Sequence, residues 1–171
     1  KIAWYENDGA GSGWTVHSIS LAADGAFSVF AADVDGDGDL DALSASIQDD
    51  KIAWYQNNGP GTSWTLYTIS LAADGAYSVF AADVNGDGDL DVLSASTYDD
   101  TIAWYENNGP GTSWTLHTVS PDAAEARSVF GADVNGDGDL DVLSASSYDD
   151  KIAWYENDGS GSGWTEHTIS L

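Results

Sequence analysis

The chain contains no cysteine and no methionine, and only 4 Lys+Arg stand against 29 Asp+Glu in its 171 residues. Without cysteine there is no disulfide framework, no thiolate nucleophile and no thiolate-ligated zinc or iron–sulfur centre. A formal net charge of −25 leaves no basic patch of the kind that DNA, RNA or an anionic membrane face requires. No apolar run approaches the ~18 residues of a membrane span, so membrane insertion is not expected. No signal-peptide pattern opens the chain, and a start at Lys1 reads as a mature or excised segment. Against these absences stand 19 Gly, 8 Trp and 8 Tyr, and an aromatic share of 12% argues against an acidic disordered chain.

The length resolves as three units of 50 plus 21, because Lys1-Ile2-Ala3-Trp4-Tyr5 returns at 51, 101 (with Thr101 for Lys) and 151. Residues 51–100 and 101–150 differ at 11 positions, so 39 of 50 match without a gap; residues 1–50 and 51–100 differ at 13. The segment Leu71–Tyr77 against Pro121–Arg127 varies most and reads as a loop.

Within a unit the apolar period is two. Ser78–Asp83, Leu90–Ser96, Ile102–Tyr105 and Trp114–Val119 read as four strands, with Asn107-Asn108-Gly109-Pro110-Gly111 as the turn before the last. No stretch offers an amphipathic helix. Four antiparallel strands per unit of this length is the sequence form of a β-propeller blade; a parallel β-helix would have shorter coils and no hairpin turns. Adjacent Trp104 and Tyr105 must point to opposite faces, and both can be large only if both faces pack. The expected fold is therefore all-β, with three complete blades at 22–71, 72–121 and 122–171. Residues 1–21 supply only the outer hairpin of another. Such an open arc would expose an apolar face at each end, so completion by self-association or by further repeats is expected.

The sharpest chemical signal is an acidic loop between the first two strands of each blade. It reads Asp33-Val34-Asp35-Gly36-Asp37-Gly38-Asp39-Leu40-Asp41, and returns with Asp83, Asn85, Asp87, Asp89 and Asp91, then with Asp133, Asn135, Asp137, Asp139 and Asp141. Alternating oxygen-bearing side chains on a backbone turned sharply at glycine can face one centre. With a carbonyl from Asp39, Asp89 or Asp139, and both oxygens of the last aspartate (Asp41, Asp91 or Asp141), already on the second strand, about 6–7 oxygens result, a set that suits Ca²⁺ better than Mg²⁺. A solvated acidic turn is the bland alternative for one copy, but three copies at fixed spacing favour the metal. Three Ca²⁺ ions would move the net charge from −25 to −19.

The run Asp-Val-Asn-Gly-Asp-Gly-Asp-Leu-Asp-Val-Leu at 83–93, followed by Ile-Ala-Trp-Tyr-Glu-Asn at 102–107, resembles the integrin-like FG-GAP or VCBS repeats. The resemblance covers essentially the whole chain. It implies a propeller, usually of seven blades, with Ca²⁺ in the first hairpin of each blade, in extracellular proteins often used for adhesion or ligand binding. Three full units fall short of seven.

The remaining motifs carry weaker expectations. The pairs Asp49-Asp50, Asp99-Asp100 and Asp149-Asp150 read as turn caps, with a second cation site as the sharper alternative. His17, His117 and His167, at one repeated position, lie on different blades and should not converge. Trp14, Trp64, Trp114 and Trp164 read as wedges between blades, with a sugar-stacking platform, and hence a multivalent lectin, as the functional alternative. Some relatives of the family are lyases or dehydratases, but near-identical units offer no asymmetric catalytic constellation. The expected function is a non-enzymatic, calcium-stabilised scaffold or adhesion module, with a protein or glycan as ligand.

Overall fold

The computed structural model describes residues 1–170 and contains fourteen strands among them. A two-stranded sheet pairs β1 (Ile2–Asn7) with β2 (Trp14–Ser20). Three four-stranded sheets follow. The first holds β3 (Ala26–Ala32), β4 (Asp41–Ser46), β5 (Lys51–Asn57) and β6 (Trp64–Ser70). The second holds β7 (Ala76–Ala82), β8 (Asp91–Ser96), β9 (Thr101–Asn107) and β10 (Trp114–Ser120). The third holds β11 (Ala126–Ala132), β12 (Asp141–Ser146), β13 (Lys151–Asn157) and β14 (Trp164–Ser170). Every pairing is antiparallel and joins strands consecutive in sequence, so each sheet is a simple meander. The fold is all-β, as its period-two patterning predicts.

The second strand of each full sheet is the most buried, and the apolar core lies between sheets rather than within one. Trp54, Leu43 and Val34 of the first full sheet pack with Tyr105, Val79 and Val92 of the second. Trp104, Leu93 and Val84 of the second pack with Tyr155, Val129 and Val142 of the third. Trp104 and Tyr105 thus face opposite interfaces and are both buried, because each full sheet is covered on two sides where a neighbour exists. Burying one such side chain contributes about 1.5–3 kcal/mol, so each junction rests on a few of them.

The first strands of successive sheets stand side by side. Phe30, Phe80 and Phe130 form a tilted row with ring centroids 4.7 and 4.5 Å apart. At these unpaired strand edges the backbone amide of Val79 donates to Ser28 Oγ (3.4 Å) and that of Val129 to Ser78 Oγ (3.3 Å). Repeated serines therefore satisfy edge N–H groups that would otherwise be open to pairing with another chain.

Candidate functional site

The three acidic loops share one backbone design. The loop turns on glycines at positive φ (Gly36 +73°, Gly38 +96°), where a side chain would be strained. The amide of Gly38 donates to Asp33 Oδ2 (3.0 Å), and those of Gly88 and Gly138 donate to Asp83 and Asp133 (3.1 and 3.2 Å). The amides of Asp39, Asp89 and Asp139 donate to the carboxylates of Asp37, Asp87 and Asp137, each at 2.9 Å. These bonds tie the carboxylates at the first and fifth positions to the loop's own backbone. In the first loop one oxygen from each of Asp33, Asp35 and Asp37 lies within 4.8 Å of the others. Asp33 Oδ1 is buried there without a hydrogen-bond donor. In the other two loops Asn85 and Asn135 replace an aspartate and donate to Asp87 and Asp137 (3.0 and 2.7 Å).

The last aspartate of each loop sits apart from that cluster, buried at the start of a strand. Asp41 accepts the amides of Val34 (3.1 Å) and Asn57 (2.7 Å). Asp91 accepts those of Val84 (2.9 Å) and Asn107 (2.8 Å), and Asp141 those of Val134 (2.9 Å) and Asn157 (3.0 Å). Both oxygens of each carboxylate thus clasp the loop to the third strand of its sheet. Burial pushes Asp91 up to about 6, against the pull of those two amides, and the Asp87 and Asp83 carboxylates push it further in the same direction. Burial raises Asp41 as well. Exposed Asp137 is held below the usual range by the Asp139 amide and the Asn135 side chain.

Asn57, Asn107 and Asn157 read in the sequence as turn residues, and the last two bridge the junctions. Asn107 Nδ2 donates to the Leu90 carbonyl (3.1 Å) and across to Val34 O of the preceding sheet (3.3 Å). Asn157 repeats this with Leu140 O (3.0 Å) and Val84 O (2.9 Å). Their Oδ1 atoms accept the amides of Gly111 (3.0 Å) and Gly161 (2.9 Å). The only sequence signal was their recurrence, with Asn7, at one position of every unit. The acidic loops of the last two sheets also meet: Asp83, Gly86, Asp133 and Asp139 line a cleft of about 220 Å³.

The other motifs find local partners. The rings of His17, His117 and His167 stack on Trp4, Trp104 and Trp154 of their own sheets at 4.3–4.4 Å, and Tyr67 stacks likewise on Trp54 at 4.6 Å. Each imidazole also meets a glutamate, Glu6, Glu106 or Glu156, at 2.8–2.9 Å. Asp50 and Asp100 adopt positive φ and bind the next sheet's approach loop, accepting the amides of Gly75 (2.9 Å) and Glu125 (2.8 Å). Trp64, Trp114 and Trp164 are half-buried against the junction cores and donate to Gly61, Gly111 and Gly161 carbonyls at 3.0–3.2 Å. Trp14, on the leading hairpin, is exposed. Between that hairpin and the first full sheet lies an apolar cavity of about 380 Å³, lined by Trp4, Trp64, Pro60, Leu40 and Asn57.

Tandem units of four antiparallel strands, stacked face to face with one acidic loop each, define a propeller-like repeat protein. The chain belongs to the FG-GAP-like repeat family, whose pattern it matches four times, over residues 1–44, 33–94, 83–144 and 133–171. Among solved structures it is similar to an Agrocybe aegerita lectin, described by its specific recognition of non-reducing terminal N-acetylglucosamine, with 22% identity and a TM-score of 0.63. The similarity covers 98% of this chain and 46% of the lectin, so the chain spans just under half of that protein's length. No curated protein matches it.

Proposed function

We propose that this chain is a calcium-stabilised, non-enzymatic β-propeller module acting outside the cell as a scaffold or adhesion unit. It comprises three complete blades and one outer hairpin. The observation that carries the reading is the threefold acidic loop, whose carboxylates Asp33, Asp35 and Asp37 converge in the first copy, while a separate, buried aspartate in each copy already does the structural clasping. Asp33, Asp35 and Asp37 would hold one cation, with Asp39 adding its carbonyl; Asp83, Asn85, Asp87 and Asp89 would hold a second, and Asp133, Asn135, Asp137 and Asp139 a third. The buried, undonated Asp33 Oδ1 fits that assignment. Asp41, Asp91 and Asp141 fix the loop ends and add charge close by. A bound Ca²⁺ supplies positive charge that offsets carboxylate repulsion, so its binding free energy becomes folding free energy. Self-association, or docking on further repeats, belongs to the same reading.

Thermal melting in millimolar Ca²⁺ and in excess EDTA tests the proposal. The expectation is a large drop on chelation, restored by Ca²⁺ but not by an equal concentration of Mg²⁺. Unchanged melting would end the calcium reading.

A second reading, a glycan-binding module, is favoured by the likeness to the Agrocybe aegerita lectin and by the cavity between Trp4 and Trp64. An indole face beside polar Asn57 suits a sugar ring. Titration with N-acetylglucosamine and a glycan array, each repeated on Trp64→Ala, would separate the readings: no binding, or binding indifferent to the substitution, leaves the scaffold alone.

A further inference from the structure

The internal sheet junctions share a set of contacts, although at the middle one the Trp54 indole packs on Gly111 without a hydrogen-bond acceptor, and each end of the chain carries part of that set. At a junction the trailing side chains of one sheet cover the leading side chains of the next. Ile102 and Trp104, for example, pack on Tyr155. Trp104 Nε1 donates to Gly161 O (3.0 Å), and Trp4 Nε1 to Gly61 O (2.8 Å), in both cases 57 residues on. The glycines are required: a Cβ at Gly161 would lie 2.5 Å from the Trp104 ring.

The same residues at the chain ends are uncovered. Tyr155 is 1% exposed but its equivalent Tyr5 is 61% exposed; Ile102 is fully buried but its equivalent Ile152 is 40% exposed. Trp14 and Ile169 are likewise open. Nothing lies within 4 Å of the Cβ position at Gly11, the counterpart of Gly61 and Gly161. The leading β1–β2 hairpin therefore carries the tyrosine, tryptophan and glycine of a junction, and the trailing β13–β14 face carries the isoleucines and the Trp154 indole.

We propose that a second copy of this chain docks head to tail, laying its β1–β2 hairpin on the β13–β14 face. The inference rests on the propeller reading for its repeat geometry. In the docked pair Trp154 Nε1 donates to the second copy's Gly11 carbonyl, as Trp104 does to Gly161. The second copy's Asn7 Nδ2 donates to Val134 O, as Asn107 does to Val34 O and Asn157 to Val84 O. The occupant is another copy because the outer-strand parts of both complementary halves are present on this one chain, and the contact continues a junction it already forms internally. The two surfaces differ, so the association is heterologous and each added copy leaves one head and one tail free unless the ring closes.

The test measures solution mass by sedimentation at about 100 µM, a concentration that reveals even weak association. Ca²⁺ and about 0.15 M salt screen the acidic surfaces. Tyr5→Lys blocks the head and Ile152→Lys blocks the tail; both side chains are exposed, so each variant keeps its fold, checked by circular dichroism. Trp14→Ala and Ile169→Lys stand as second head and tail variants should either fail to fold. The wild type is expected as a dimer or larger, each variant alone as a monomer, and an equimolar head-plus-tail mixture as a 1:1 heterodimer with nothing larger. A monomeric wild type, a blocked variant with wild-type mass, or a mixture that stays monomeric would overturn the docking. A folded monomer whose melting still falls in EDTA would do so while leaving the calcium module intact.

Discussion

Replacing one glycine of the repeated turn by alanine at each of its four positions isolates the energetic weight of the junctions. Gly11, Gly61, Gly111 and Gly161 have nearly the same φ, between +69° and +74°, so the backbone penalty of a Cβ is common to all four. That penalty is about 1–2 kcal/mol. The surroundings differ. A Cβ at Gly11 meets nothing within 4 Å, at Gly61 it meets the Trp4 ring at 2.8 Å, and at Gly161 the buried Trp104 ring at 2.5 Å. At Gly111 it collides with the buried Trp54 ring. Trp4 lies on the two-stranded sheet and has room to yield, whereas Trp54 and Trp104 are enclosed by two full sheets. Overpacking in such a place costs about 1–3 kcal/mol more.

The expected order of destabilisation is therefore Gly11 least, Gly61 next, and Gly111 with Gly161 most, with about 2 kcal/mol between the extremes. For a chain of this size, with a urea m-value of about 2 kcal/mol/M, that difference is a midpoint shift of about 1 M. The assay is urea unfolding followed by tryptophan fluorescence in Ca²⁺, at concentrations low enough to keep copies apart. Equal midpoints for all four variants, or Gly11→Ala as damaging as Gly161→Ala, would refute the view that the indole–glycine contact holds the junctions.

Two further outcomes separate the parts of the acidic loop and its response to pH. Asp91→Ala strips two buried amides of their acceptor and is expected to cost about 2–4 kcal/mol even in EDTA; exposed Asp87→Ala should change metal-free stability little but remove much of the gain on adding Ca²⁺, as paired melting curves would reveal. In metal-free protein Asp91, Asp41 and Asp99 are all raised by burial, so each opposes folding when ionised, and that opposition fades as pH falls from about 6 toward 4. Melting temperature in the absence of metal should therefore rise from pH 7 to pH 5, then fall below pH 4 as the lowered carboxylates of Asp8, Asp137 and Asp158 become protonated. A steady fall from pH 7 downward would contradict this.

The strand pattern and the two-sided packing of the inner sheets were legible because they follow from local rules: period two, turn glycines, and Trp104 beside Tyr105. The acidic loops were legible as loops, but the division of labour inside them was not. The pattern puts the last aspartate of each loop at the start of the second strand, as Asp41 is, but as one more metal ligand; its role as a clasp appears only when Asn57, sixteen residues on, folds back to donate to it. The stacking of His17 on Trp4 and Tyr67 on Trp54 could have been found, since register places each pair directly opposite across two strands. The junction contacts were hidden for a different reason. Trp104 and Gly161 are 57 residues apart, more than one repeat, so the partner of each motif lies in the next copy rather than in its own.

That offset also explains why nearly identical units do not behave identically. Position by position, Tyr5 and Tyr155 have the same chemistry, yet one is open and the other is enclosed, because burial depends on having a neighbour on the correct side. In a repeat array of this kind stability is a sum of unit terms and nearest-neighbour junction terms. A sequence with a strict 50-residue period holds the unit term nearly constant, so the differences along the chain come from the junctions. The leading hairpin has one neighbour and no inner strand pair, and the trailing sheet has a neighbour on one face only. Local opening is therefore expected to begin at these two ends, with the sheet β7–β10, covered on both faces, the last to open. Hydrogen exchange of the β8 amides should be the slowest in the chain, and faster exchange there than in β1 or β14 would break the link between neighbours and stability.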